Sequence, residues 1–91
     1  MRDTVTVELG GHVDIGHVKE LYENFKAVPD GVKTVCFNAI SVKRADTAGL
    51  QCLLFFVRSL KKKGVDWSWN SVSFALGDAT DLLGVTEELG L

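Results

Sequence analysis

The chain has 91 residues, which allows one domain with one modest core, since proteins this short bury only about 60 to 65 per cent of their unfolded surface. Its 46% apolar and 24% charged residues match ordinary globular proteins and exclude disorder, a collagen-like repeat and a disulfide scaffold. A formal net charge of -2 lacks the clustered basic excess of a nucleic-acid binder, so protein partners are expected instead.

The first segment, TVTVEL, alternates Val5, Val7 and Leu9 with Thr4, Thr6 and Glu8. That is the period of a strand with one covered and one wet face, placed near a sheet edge. Its alternating polarity and acidic residues suit neither a signal peptide nor a membrane anchor. Gly10 and Gly11 break the run, and Asp14 predicts the N-cap of a helix carrying Ile15, Val18, Leu21, Tyr22 and Phe25 at helical spacing. Pro29 and Gly31 end that helix. KTVCFNAI, residues 33–40, is a continuous run of strand formers, as expected of a strand covered on both faces at the centre of the sheet.

A second helix is predicted over residues 47–63, stopped by Gly64, with three lysines in its last turn complementing the negative end of the helix dipole. At about 100° per residue, Leu50, Leu53, Leu54, Val57 and Leu60 fall on one stripe, and Ala48, Gln51, Cys52, Phe55 and Ser59 on the far side. Phe55 therefore faces away from the core. Either a neighbouring element covers it, or Thr47, Ala48, Gln51 and Phe55 form a ridge reserved for another protein. The longest apolar run, LLFFV, falls far short of the roughly 20 residues that span a bilayer.

VDWSW reads as a strand with Val65, Trp67 and Trp69 on one face, the tryptophans serving as core anchors. Residues 72–84 resume a helical period through Val72, Ala75, Leu76, Ala79 and Leu82 or Leu83, and VTEELGL forms a short final turn or helix. Such alternation of strand and helix predicts right-handed crossovers and parallel pairing. The expected fold is α/β: a single domain over residues 1–91, with a mixed, mostly parallel sheet of four to five strands flanked by three to four helices.

Residues that could carry chemistry are few. Cys36 and Cys52 lie in apolar runs without Cys-x-x-Cys spacing and read as buried small hydrophobes in a reducing, cytoplasmic compartment. GHVDIGH has Gly11 and Gly16 at the glycine positions of a P-loop, but His17 and Val18 stand where Lys and Ser or Thr are needed. His12 and His17 lack a nearby cysteine or acidic pair at metal-ligand spacing, so surface or capping roles are expected and no metal site. Asp78 and Asp81 have the spacing of paired carboxylates on a helix, yet no nucleophile accompanies them. Neither a cofactor nor catalysis is expected.

Three stretches, VELGGHVDIGHVKEL, VCFNAISVKRADTAGLQCLL and NSVSFALGDATDLLGV, occur in the order and spacing of a STAS domain, and the chain resembles that family from about Val5 to Leu91. Its most specific element is Asp46-Thr47-Ala48-Gly49-Leu50 opening an apolar helix after the extended segment with Asn38. Family members include bacterial anti-sigma-factor antagonists, sulfate-transporter tails and small subunits of phospholipid-transport ABC systems. In the antagonist branch, the residue after the aspartate is phosphorylated by a partner kinase, and the loop and helix around it dock that partner.

The resemblance thus implies a non-enzymatic interaction module. Thr47 would be the regulatory position, and Asp14, Asp46, Thr47, Ala48, Gly49, Gln51 and Phe55 would contact the partner. Ala48 stands where many antagonists carry a second serine, and Thr47-Ala48 is similar to the phospholipid-transport subunits. The implied partner is an anti-sigma-factor or histidine-kinase-like ATPase, or the ATPase of an ABC transporter. No nucleic acid and no direct membrane insertion are implied, and a homodimer is compatible.

Thr47 itself has two readings. A hydroxyl at a helix start faces unpaired backbone N–H groups, and a plain cap of this kind contributes about 1 kcal/mol. A phosphate there would add about -1.5 to -2 charges. The helix N-terminus and Lys43 or Arg44 would tolerate that charge, whereas Asp46 would repel it and a packed partner would be displaced.

Overall fold

The computed structural model describes residues 3–91. The first strand, β1 (Thr4–Glu8), is followed by the short β2 (His12–Val13), a 3-10 turn (Ile15–His17) and helix α1 (Val18–Lys26). Then come β3 (Thr34–Ala39), β4 (Arg44–Ala45), α2 (Thr47–Lys62), β5 (Asp66–Val72), α3 (Phe74–Leu83) and α4 (Thr86–Leu89). The main sheet has three strands in the order β1-β3-β5, and β2 pairs β4 as a separate two-residue ladder; every pairing is parallel. The expected α/β class, strand count and helix count are all present. β1 is an edge strand and β3 the centre, as their patterns predict.

One face of the sheet carries the core. Val7, Val35, Phe37 and Ala39 are buried there with Leu21 and Phe25 of α1 and with Leu50, Leu53, Leu54, Val57 and Leu60 of α2. The helix stripe expected from the 3.6-residue period is the buried one. Phe37 stacks on Trp69 at 4.7 Å and meets Phe56 edge-on at 6.0 Å, while Phe25 stacks on Phe56 at 4.3 Å. Such aromatic contacts add to what area burial alone provides.

The other face is open, which corrects the expectation for β3. Thr34, Cys36 and Asn38 are only half-buried, and their neighbours Thr4, Thr6, Glu8, Asp66 and Ser68 are exposed. The run in β3 looks continuous because its alternate positions hold threonine, cysteine and asparagine, small enough to sit between two strands without a covering helix. For the same reason Cys36 is half-buried and not a core residue, as is Cys52 on α2, whose thiol is pushed up from the usual thiol range by partial burial.

The C-terminal third departs furthest from the periodicity. β5 runs on to Val72, and α3 starts at Phe74 with Ser73 as its cap, the hydroxyl accepting from Leu76 N–H at 3.2 Å. Only Leu76 and Thr80 of α3 are buried, whereas Leu82 and Leu83 point outward. The chain ends by closing under β5. Leu89 is fully buried, and its carbonyl accepts the indole N–H of both Trp67 and Trp69 at 2.8 Å. The two half-buried tryptophans therefore anchor the last helix as well as the sheet.

Candidate functional site

Strands β2 and β4 are only two residues each, yet their ladder brings residues 11–15 against residues 43–49. His12 pairs Arg44 and Val13 pairs Ala45, while Lys43 N–H donates to the Gly11 carbonyl at 2.8 Å and Asp46 N–H to the Val13 carbonyl at 3.0 Å. Asp46 follows directly in extended conformation and caps α2.

Its two carboxylate oxygens do different work. One accepts Gly49 N–H at 2.9 Å, the N3 bond of a helix cap, and the other accepts Ile15 N–H from the facing loop at 3.0 Å. A single side chain thus starts the helix and holds the second loop against it. Gly49 is required at the crossing. A methyl group on it would overlap the Val13 carbonyl and lie 2.6 Å from Asp14 N, so the helix backbone itself packs on the β2 backbone.

Because Asp46 performs the cap, the Thr47 hydroxyl is not needed for it. Thr47 is the exposed first residue of α2. Thr47→Ala is therefore expected to change stability by no more than about 0.5 kcal/mol, as for surface substitutions generally. Asp46→Ala, which removes the cap and orphans the Gly49 N–H, is expected to lose about 2 kcal/mol. Thermal melting of the two variants checks this, and equal losses would return the capping role to Thr47.

Along α2 the exposed face continues through Gln51 to Phe55, which is 73% exposed. Ala48 and Cys52 are half-buried beside it. A groove of about 380 Å³ adjoins Phe55 between α1 and α2, lined by Tyr22, Phe25, Cys52 and Phe56 among others. At the other end of the ridge Ile15 is 72% exposed, next to the carboxylate that holds its N–H. Helical periodicity assigned Ile15 to the core of α1. The turn at Ile15–His17 is 3-10 and α1 begins only at Val18, so Ile15 swings outward; the exposed isoleucine beside Thr47 had no signal in the sequence.

Asp14 also differs from expectation. It occupies a cap position but makes no capping bond. Its carboxylate instead accepts from two imidazoles, His17 Nδ1 at 2.7 Å and His12 Nδ1 at 3.1 Å, and the rings stack on one another at 4.3 Å. The hydrogen bond from His17, and then that from His12, holds the Asp14 carboxyl below its ordinary value of 3.8. His12 and His17 are thus partly exposed, as expected of surface histidines, and both pair with the half-buried Asp14 carboxylate.

The structure brings together Asp14, Asp46, Thr47, Ala48 and Gly49 at one end of the ridge, with Gln51 and Phe55 one and two turns further along α2. Asp78 and Asp81, on α3, are exposed. No helix among the described residues is long and apolar enough to cross a membrane.

Comparison with known proteins agrees with this fold. The sulfate transporter family protein from Wolinella succinogenes superposes with a TM-score of 0.81 at 24% identity, over 97% of this chain and 72% of that one. The SulP transporter STAS domain from Vibrio cholerae superposes with a TM-score of 0.75 at 14% identity, over 99% of this chain and 70% of that one. At these identities the likeness establishes the fold alone. No curated protein sequence matches the chain. The family model described as Mlab, STAS domain, however, matches residues 1–90, and the chain belongs to that STAS family.

Proposed function

We propose that this chain is a non-enzymatic interaction module that docks a regulatory protein in the cytoplasm. The contact runs through the Asp46–Gly49 loop and the α2 ridge of Gln51 and Phe55, with Ile15 completing the face. The observation that carries this reading is Phe55. A phenylalanine 73% exposed, on the side of α2 opposite a fully buried leucine stripe, has no role in the monomer's core. Exposed aromatics grouped with other apolar side chains mark protein contacts. Thr47 stands on the same ridge, where a phosphate would place new charge against any packed partner.

The partner under this reading is an anti-sigma-factor or histidine-kinase-like ATPase, released when Thr47 is phosphorylated. A second reading is favoured by Thr47-Ala48 and by the description of the matching family: the same face holds the ATPase of a phospholipid-transport ABC system without phosphorylation.

Tagged parent and Phe55→Asp proteins, purified from the native host, separate these. Because Phe55 lies outside the core, Phe55→Asp is expected to melt within about 0.5 kcal/mol of the parent and to lose the partner. Recovery of a histidine-kinase-like ATPase supports the first reading, and an ABC ATPase with its permease the second. Retention of the partner by Phe55→Asp removes the ridge from both.

A further inference from the structure

The His12, Asp14 and His17 side chains converge beside the docking loop, and of the three only Asp14 was expected to contact the partner. Their ligating atoms all lie within 4.8 Å of one another, and Asp14 already sits within hydrogen-bond distance of both Nδ1 nitrogens. An ionised carboxylate only accepts, so each Nδ1 presents a proton to it. Two imidazole nitrogens and one carboxylate oxygen form a donor set suited to Zn²⁺, and tetrahedral ligation at about 2.0 to 2.1 Å needs donors about 3.4 Å apart. The two rings stack nearly parallel at 4.3 Å, so an ion requires them to turn out of that stack until both Nδ1 lone pairs point at it. A cleft of about 400 Å³ opens on the same two histidines and is also lined by Glu8 and Glu20, which leaves room for a fourth, exchangeable ligand such as water.

We propose that His12 Nδ1, Asp14 and His17 Nδ1 form a binding site for a divalent transition-metal ion of the Zn²⁺ type, one per chain. Binding replaces two N–H···O hydrogen bonds by two N–metal bonds. Each neutral ring loses its Nδ1 proton and takes one at Nε2 through water, so no redox partner is involved. Three ligands arise from only six residues, and β2 fixes the first while the 3-10 turn fixes the last. Asp14 adjoins Ile15, whose N–H is held by Asp46, so the ion would also fix the loop that flanks Thr47. This last consequence rests on the docking reading above; the ion site does not.

The experiment uses the untagged full chain, stripped with chelator, and Zn²⁺ as the probe in calorimetric titration and thermal melting. Expected results are one ion per chain, a melting temperature that rises with free Zn²⁺, and affinity reduced more than tenfold in His12→Gln and in His17→Gln. The ring protons of both histidines in the parent are expected to shift together during the titration, a readout that needs no variant to fold. No saturable binding, binding without those ring shifts, or affinity unchanged in both folded variants would overturn the site. Partner affinity that ignores Zn²⁺ while the ion binds stoichiometrically would overturn only the coupling to the docking face.

Discussion

Gly49→Ala is expected to lower stability on the order of 3 kcal/mol, the upper part of the range for overpacking a rigid interior. For a domain of this size that is a fall in melting temperature of roughly 10 to 25 °C. In an ordinary helix the same change stabilises, because alanine loses less backbone entropy than glycine. Here the sign reverses. The added methyl meets the Val13–Asp14 peptide, and peptide backbone held by the β2–β4 ladder and by the Asp46 N–H cannot rotate aside like a side chain. Relief requires α2 to withdraw from β2, which would pull Gly49 N–H off the Asp46 carboxylate and expose Leu50 and Leu53. Gly77, inside α3 with open space around it, is the internal control: Gly77→Ala is expected to melt at or above the parent temperature. Melting curves of both variants decide the matter, and a Gly49→Ala protein within about 2 °C of the parent, less than 1 kcal/mol, would show that the crossing is not tight.

Thr47→Glu is expected to abolish partner association while leaving the monomer within about 1 kcal/mol of the parent. A carboxylate in the first turn of α2 is favoured by the helix dipole, which offsets its repulsion from the adjacent Asp46. Nothing in the core is touched, because Thr47 is exposed and Asp46 already satisfies Gly49. A partner packed between Ile15 and Phe55 would instead meet bulk and a desolvated negative charge, and leaving such a charge buried and unpaired at an interface costs several kcal/mol. Thr47→Ala is expected to bind nearly as the parent does. Affinity of the three proteins for the partner recovered with the parent gives the comparison. Should Thr47→Glu bind like the parent, or should its binding loss track a loss of folded protein, the ridge is not read at this position.

Pattern and tertiary structure contributed to this site in different ways. The starts and types of β1, β3 and α2, and the faces of β1 and α2, were legible in the residues, because a period of 2 or 3.6 is written into a few consecutive positions and one buried face suffices to fix it. The same period made Phe55 conspicuous before any coordinates, as the large apolar side chain opposite the leucine stripe. It failed where the core is not one flat face. Leu82 and Leu83 fit a helical stripe, yet α3 packs mainly against β4 and α4 and turns Leu76 and Thr80 inward, which leaves both leucines exposed.

Sequence alone determined a single α/β domain, the start of α2 at Thr47, and a face of α2 turned away from the core, while only the structure decided that Phe55 on that face stays uncovered. Only the tertiary structure decided how the two loops at its end are joined. Asp14 was a helix cap by local rule, but the imidazoles of its neighbours His12 and His17 take its carboxylate, the turn after it is 3-10, and Ile15 faces outward. Thr47 was the cap by local rule, but the Asp46 carboxylate holds that place, bonded both to Gly49 N–H and to the facing Ile15 N–H thirty-one residues away in the chain. Gly49 was a motif residue assigned to partner contact until the β2 backbone was found against it. For Asp46 and Gly49 the physical reason is that the Ile15 N–H and the Val13 backbone are distant in sequence, and for Asp14 that side-chain geometry, not periodicity, decides which neighbours its carboxylate meets.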